Sequence, residues 1–166
     1  MAVIGIDPGT AATGFGFIEQ KSDGQLKLIN YGVIKTPSKD PPEKRLLTLF
    51  SQLKELLKQY RPETSAVEKL YFQRNVKTAM SVGQARGVIL LALSESRIPV
   101  YEYNPMDVKQ AVAGYGRADK HQIQEMVRTL LRLPDIPKPD DAADALAVAI
   151  CHIHSRKIKR LHKENG

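Results

Sequence analysis

Residues 2–20 have the sequence AVIGIDPGTAATGFGFIEQ, in which a short apolar run ends in an acid and a Pro-Gly turn. The run predicts a first strand over residues 2–7, which the Pro-Gly pair ends. Residues 14–20 alternate as a second strand would, and the turn at 22–24 leads into a third strand over 25–36. Short turns between consecutive strands favour antiparallel pairing. We therefore predict that the fold starts with a three-stranded antiparallel meander.

The rest of the chain alternates helices with strands. Apolar residues at spacings of one, three and four predict a helix that opens at Pro41-Pro42 and stops at Arg61-Pro62. The elements that follow are a strand over 64–70, a helix over about 76–96, a strand over 100–103, a helix from Pro105 to near Gly114, a helix from a cap at Asp119 to Leu131, and a last helix of about 20 residues capped by Asp140. This order predicts an α/β fold with a mixed five-stranded sheet flanked by helices.

Size and charge limit the possible functions. The 166 residues fit one domain, which we place at 1–154, followed by a basic tail at 155–166. A net charge of +7 favours a polyanionic partner such as nucleic acid, although the tail could equally be a solvated segment. The single cysteine, Cys151, suits a reducing cytoplasm. Because no uninterrupted apolar run approaches roughly 18 residues, we expect no membrane-spanning segment.

Four carboxylates occur where predicted strands end or a helix begins. Asp7 ends the first strand between apolar neighbours, and Glu68 stands near the end of the fourth. Asp141 and Asp144 are three residues apart, so their side chains lie one turn apart on the same helix face. Each acid also has an ordinary explanation, since Asp starts turns, surface Glu pairs with Lys, and acids favour helix N-termini.

Together the four acids favour a metal site, because two strand ends and a helix can converge at one edge of a sheet. Carboxylates gathered there would repel one another unless divalent cations bound between them. Hard oxygen ligands select Mg²⁺ or Mn²⁺, and a pair of such ions can promote in-line phosphoryl transfer. The pattern therefore predicts phosphodiester hydrolysis with two Mg²⁺ ions per subunit, for which Mn²⁺ can substitute.

The chain resembles the bacterial RuvC resolvases in four blocks that keep the family's order and spacing across roughly residues 1–154. The blocks are GIDPGTAATGFGFIE, AVEKLYFQRNVKTAMSVGQARGVIL, YNPMDVKQAVAGYGRADKHQIQEMVRTLLRL and DAADALAVAICH. The resemblance implies an RNase H-like fold and a homodimer that resolves Holliday junctions by paired nicks in DNA recombination and repair. It also implies a RuvA–RuvB branch-migration complex as partner.

The resemblance also implies roles for individual residues. Asp140 would be the helix cap outside the catalytic set, and Lys109 and Lys120 would lie near the scissile phosphate, although either could be a solvated surface lysine. The implied catalytic metal ligands are Asp7, Glu68, Asp141 and Asp144. The implied DNA contacts are Lys109, Lys120, Arg74 and Tyr71.

Tyr71 stands where the family usually carries a phenylalanine that stacks on bases at the junction centre. Its ring can stack in the same way, and the neighbouring Phe72 is the alternative exposed aromatic. In the second helix Gly83 and Gly87 continue a row of small residues from Ala79. This row could pack on the sheet of its own chain, whereas the resemblance implies that it lies at the dimer interface.

Three other functions stay open. An actin-like or Hsp70-like ATPase begins with a similar Gly-Ile-Asp-x-Gly-Thr loop, but it needs a second lobe that 166 residues cannot supply. A junction-binding module would use the basic charge without catalysis. A nuclease of the same fold could also act on RNA or on other replication intermediates. Cleavage of a four-way junction, compared with a matched duplex, distinguishes these functions.

Overall fold

The computed structural model describes residues 1–69 and 76–164, with the backbone alone at residues 160 and 162–164. Its five strands are β1 (Ala2–Asp7), β2 (Ala12–Gln20), β3 (Leu26–Lys35), β4 (Thr64–Glu68) and β5 (Val100–Tyr103). They form one sheet in the order β3-β2-β1-β4-β5. β1, β2 and β3 pair antiparallel, while β4 is parallel to β1 and to β5. The predicted mixed five-stranded sheet is confirmed.

Five helices accompany the sheet in the described part of the chain: α1 (Pro42–Tyr60), α2 (Val76–Glu95), α3 (Pro105–Ala113), α4 (Lys120–Leu130) and α5 (Asp140–Glu164). Asp119 caps α4, and Gly114 ends α3 in the left-handed conformation, both as predicted. α5 is longer than expected, with 25 residues. The boundary that we placed after residue 154 therefore falls inside a continuous helix.

Side chains alternate between the two faces of the sheet, and an apolar core lies on each face. Ile4, Ile6, Phe15 and Phe17 pack with buried residues of α1 and α2 on one face. The other face is covered by α3, α4 and α5. Because side chains alternate with a period of two, the residues between these apolar positions point toward α5. Several of them are glycines.

Glycines let α5 lie directly on β1 and β2. A Cβ atom at Gly5 would overlap the carbonyl oxygen of Ala145 and crowd the backbone nitrogen of Ala149. A Cβ at Gly14 would overlap the carbonyl oxygen of Asp141, and one at Gly16 would meet the side chain of Leu146. The helix backbone is thus in contact with the strand backbones, a closer approach than any other residue type allows.

By length and composition alone, α2 is long and apolar enough to cross a membrane. A helix of this length and hydropathy therefore occurs although the sequence has no uninterrupted apolar run of roughly 18 residues. One helix of this kind is weak evidence for a membrane span, because helices of soluble proteins pass the same test. Most of this helix's apolar stretch is not buried within the chain.

We predict that Gly5→Ala lowers the free energy of unfolding by at least about 1–3 kcal/mol, because the added methyl group forces α5 away from the sheet. The measurement is urea unfolding followed by circular dichroism. Gly32→Ala is the matched control, since its Cβ would meet only the ring of Phe15, at 3.1 Å. A Gly5→Ala loss no larger than that of the control would show that α5 does not depend on this contact.

Candidate active site

The parallel pairing of β1 with β4 brings the first two acids together. The register aligns Ile6 with Val67, so the residues that follow, Asp7 and Glu68, end neighbouring strands at the same edge of the sheet. Ala66 packs with the α5 side of the core and Val67 with the opposite side. Alternation therefore directs Glu68 toward the face that α5 covers.

α5 supplies the other two acids at that edge. Asp7 is the register partner of Gly14, and the backbone of Asp141 lies directly over Gly14. One carboxylate oxygen from each of Asp7, Asp141 and Asp144 lies within 4.8 Å of the others. All three side chains are half-buried. The close packing at Gly14 therefore produces a compact group of three carboxylates.

Glu68 adjoins this group without belonging to it by the same distance criterion. Glu68 is close enough to Asp7 for the two carboxyl groups to influence each other's ionisation. Burial raises the pKa of Asp7 to about 9, with further contributions from the charge of Glu68 and from Asp144 and Asp141. Burial also raises the pKa of Glu68 and of Asp144. The site is thus poor in positive charge for the number of acids it holds.

Lys120 is a positive group at this site. It is the first residue of α4, which Asp119 starts with a capping box that includes Gln122. Its Nζ lies 3.1 Å from an Asp140 oxygen and 3.7 Å from an Asp144 oxygen. Although partial burial acts against the charged form, these acids raise the pKa of Lys120.

A cavity of about 220 Å³ opens beside the acids, with Glu68, Lys109, Lys120 and Asp144 in its wall. Lys109 reaches it from α3, where Asn104 and Asp107 form a capping box across the first turn. Carboxylate oxygens and two ammonium groups in the wall of one cavity suit a divalent cation together with a phosphate group.

The comparison with known proteins identifies the family. Residues 3–152 match the family described as crossover junction endodeoxyribonuclease RuvC. The chain belongs to the RuvC family. The similarity to RuvC resolvases noted in the sequence is therefore confirmed, and the alternative of an ATPase fragment is wrong.

Curated RuvC proteins match almost the whole chain. The relative from Roseiflexus sp. (strain RS-1) is 56% identical over 97% of this chain and 95% of its own length. The one from Desulfitobacterium hafniense (strain DSM 10664 / DCB-2) is 57% identical over 93% of each chain. The solved structure of Thermus thermophilus RuvC in complex with Holliday junction substrate is 40% identical, covers 96% of each chain and has a TM-score of 0.91. The RNase H-like fold is therefore confirmed.

The structure corrects our prediction for Asp140, which is the first residue of α5 and does not cap it. Its carboxylate instead accepts a hydrogen bond from Gln124 at 3.1 Å and pairs with Lys120. These contacts lower the pKa of Asp140, and the hydrogen bond from Lys120 has the largest effect. In the first turn of α5 the N–H groups of Ala142 and Ala143 donate to the carbonyl oxygen of Pro139.

Sequence reasoning also missed residues that form the site. Gly14 and Gly16 were assigned only to a strand, although their spacing of two placed both on one face and signalled a close approach. No sequence pattern predicted the pairing of Asp140 with Lys120, which are far apart in the chain. Tyr71, Phe72 and Arg74 lie outside the described residues.

We predict that Asp7→Asn is at least as stable as the wild-type protein in EDTA. An unfolded Asp has a pKa of about 3.9, so the folded protein holds a proton that the unfolded chain releases between that value and about 9. Wild-type stability therefore falls as the pH rises through this range, whereas Asn cannot ionise. The melting-temperature gap should widen in favour of the variant between about pH 5 and pH 8.

Added Mg²⁺ should raise the wild-type melting temperature more than that of the Asp7→Asn variant, because the cation removes the repulsion that the variant has already lost. A variant that melts well below wild type at every pH would show the opposite of our expectation: Asp7 would be ionised and stabilised by groups of the protein itself.

Proposed function

We propose that this protein is a structure-selective DNA endonuclease that resolves Holliday junctions by paired symmetric nicks. The observation that carries the proposal is the group of carboxylates at the end of β1 and the start of α5 in a chain of the RuvC family. The T. thermophilus relative, 40% identical, has been solved in complex with Holliday junction substrate. The net charge of +7 suits the same polyanionic substrate.

Asp7, Glu68, Asp141 and Asp144 would hold two Mg²⁺ ions, and Mn²⁺ would substitute. Their fit to such ions is supported by oxygen atoms within 4.8 Å of one another on three of the four residues, and by the raised pKa of the fourth, Glu68, beside Asp7. When bound, the ions would activate a water for in-line attack and stabilise the leaving oxygen. The fixed backbones of β1 and α5 keep the acids in position for this.

The two lysines would act on the phosphate. Lys109 and Lys120 lie in the wall of the cavity that also contains Glu68 and Asp144, so a phosphate placed against the acids would lie within reach of both ammonium groups. Each would offset negative charge that develops on the phosphoryl oxygens. When the substrate binds, Lys120 would leave the Asp144 carboxylate and pair with the phosphate.

The roles of Tyr71 and Arg74 in DNA binding remain predictions from the family resemblance. The RuvA–RuvB complex as partner, the part in recombination and repair, and the cytoplasmic location rest on the same ground. Membership of the RuvC family and the basic net charge support these proposals.

We propose a homodimer whose contact is the exposed face of α2. Val76, Met80 and Leu91 on this helix are 85%, 76% and 60% exposed. Gly83 and Gly87 lie in the same stripe at spacings of three and four, and a Cβ on either would meet no atom of the described residues within 4 Å. The row of small residues therefore does not pack on its own sheet, and a second copy of the chain would cover the stripe.

We predict that Asp7→Asn, Glu68→Gln and Asp144→Asn each abolish cleavage of a synthetic four-way junction in Mg²⁺ while junction binding persists. Cleavage depends on the acids, whereas binding draws on lysine and arginine contacts to phosphate. Gel analysis of nicked strands measures the first and fluorescence anisotropy in EDTA measures the second.

A matched duplex and a single-stranded RNA serve as substrate controls, and Asp140→Asn is the acid control because its carboxylate faces Lys120 and Gln124. Equal cleavage of duplex and junction by the wild-type protein would contradict structure selectivity. Junction binding without cleavage by the wild-type protein would leave only a binding module.

We predict that Gly87→Leu shifts the protein toward monomer in sedimentation and uncouples the paired nicks. Because a Cβ at Gly87 meets open space among the described residues, the variant should fold normally, so its effect can be read as an effect on assembly. Two symmetric cuts need two sites related by a two-fold axis, which a monomer does not provide.

Gln52→Leu is the control for this experiment, because it adds a similar apolar surface at an exposed position of α1. It should remain dimeric and cut both strands together. A wild-type protein that sediments as a monomer at micromolar concentration, yet still makes paired nicks, would exclude the α2 dimer as the basis of coupling.

A further inference from the structure

A basic surface lies around the last turns of α5. α5 starts beside Asp7 at the end of β1 and runs back across the sheet, so that His152 contacts Thr64 at the start of β4. From Asp144 to Arg156 the helix rises about 18 Å at 1.5 Å per residue. Residues in the last turns of α5 are therefore well separated from the proposed cleavage site.

A groove of about 900 Å³ lies here between the last turns of α5, the β2–β3 turn, β5 and the N-terminal residue. Four exposed cationic side chains line it, and no Asp or Glu is among the lining residues. Within the described side chains none of the four forms an ion pair. They are Lys21, Arg156, Lys157 and Lys159. Asp23 in the adjoining turn accepts a hydrogen bond from the backbone of Gln25.

Two tyrosines form the aromatic part of the groove. Tyr101 is 41% exposed, and its ring lies against His152 with the centroids 4.6 Å apart. His152 is fully buried and is held by Tyr103 Oη at 2.7 Å and by Thr64 Oγ1 at 3.2 Å. Burial, with the charges of Arg156 and Lys159, lowers the pKa of His152 to about 4, so the ring is neutral at pH 7. Tyr101 therefore has a partly exposed ring that packs against the buried ring of His152.

We propose that this groove is a second nucleic-acid site that takes single-stranded DNA, with a base stacked on Tyr101 and its phosphates on the surrounding cations. A positively charged groove combined with an exposed ring is the arrangement by which proteins bind single strands without sequence preference. A duplex keeps its bases stacked on each other and would use only the charges. The groove would hold strand that is distant from the proposed cleavage site, and it does not depend on that activity.

A comparison with another cavity that contains basic residues shows how the groove differs. That cavity, of about 500 Å³, lies between the ends of α1 and α2 and includes Lys58 and Arg61. Glu55 and Glu63 also line it, and it contains no aromatic side chain. Its charges are therefore mixed, and a nucleobase would find no ring to stack on. Lys58 consequently provides a charge-matched control.

The first measurement is photocrosslinking of the wild-type protein, in EDTA, to a (dT)20 oligonucleotide that contains 4-thiothymidine. We expect mass spectrometry to find crosslinks at Tyr101. Crosslinks confined to the neighbourhood of Lys109 and Lys120 would overturn the proposal. This measurement needs no variant, and it gives the same answer whether or not the protein cuts junctions.

The second measurement is the affinity for fluorescent (dT)20. Tyr101→Leu should weaken binding by roughly 5- to 100-fold, as expected for the loss of one stacked base, while Tyr101→Phe should stay within about twofold of wild type. Lys157→Glu should weaken binding more than Lys58→Glu, which makes the same charge change on the opposite face. Circular dichroism checks the fold of each variant, and none of the four should alter the cleavage rate at saturating junction.

A partner of another class gives a different result. If Lys157→Glu weakens binding of polyglutamate while (dT)20 binding is unchanged in both the Lys157→Glu and Tyr101→Leu variants, the groove is a site for an acidic polypeptide and the assignment to DNA is wrong. Equal affinity losses in Tyr101→Leu and Tyr101→Phe would likewise exclude stacking.

Discussion

The direct contact of α5 with the backbones of β1 and β2 is the constraint on which the rest of the structure depends. It requires hydrogen in place of a side chain at Gly5, Gly14 and Gly16, and small residues on the helix at Ala145 and Ala149. Protein interiors are packed too closely to absorb an extra methyl group at such a crossing without a shift of one element. Since Asp141 lies over Gly14, any such shift would also move the carboxylates.

The same contact brings carboxylates close together, and the described positive groups offset only part of the repulsion between them. Half-buried carboxylates lie within 4.8 Å of one another, and the Asp7 pKa rises to about 9 because burial and neighbouring charge both oppose ionisation. Lys120 offsets some of this repulsion, but it also pairs with Asp140. A site that remains short of positive charge favours a bound cation, so the folding constraint and the proposed catalytic requirement have one structural origin.

Two surfaces away from the acids differ in polarity and charge. The outer face of α2 is apolar and contains glycines at which a Cβ would meet no described atom within 4 Å, which suits a flat contact with a second copy. The groove near the end of α5 is cationic and aromatic. α5 therefore contributes acids at its start and cations near its end, and the length of the helix keeps the two regions apart.

The sequence by itself determined the five strands, the helix starts at Pro105 and Lys120, and the position of Asp7 and Glu68 at strand ends, because turn residues, caps and alternation act over a few neighbouring residues. Only the tertiary structure decided that Asp140 pairs with Lys120, that Gly87 faces outward, and that three acids form the tight group while Glu68 adjoins it. These outcomes depend on how α2, α4 and α5 pack against the sheet, and contacts between distant segments leave no periodic pattern in the chain.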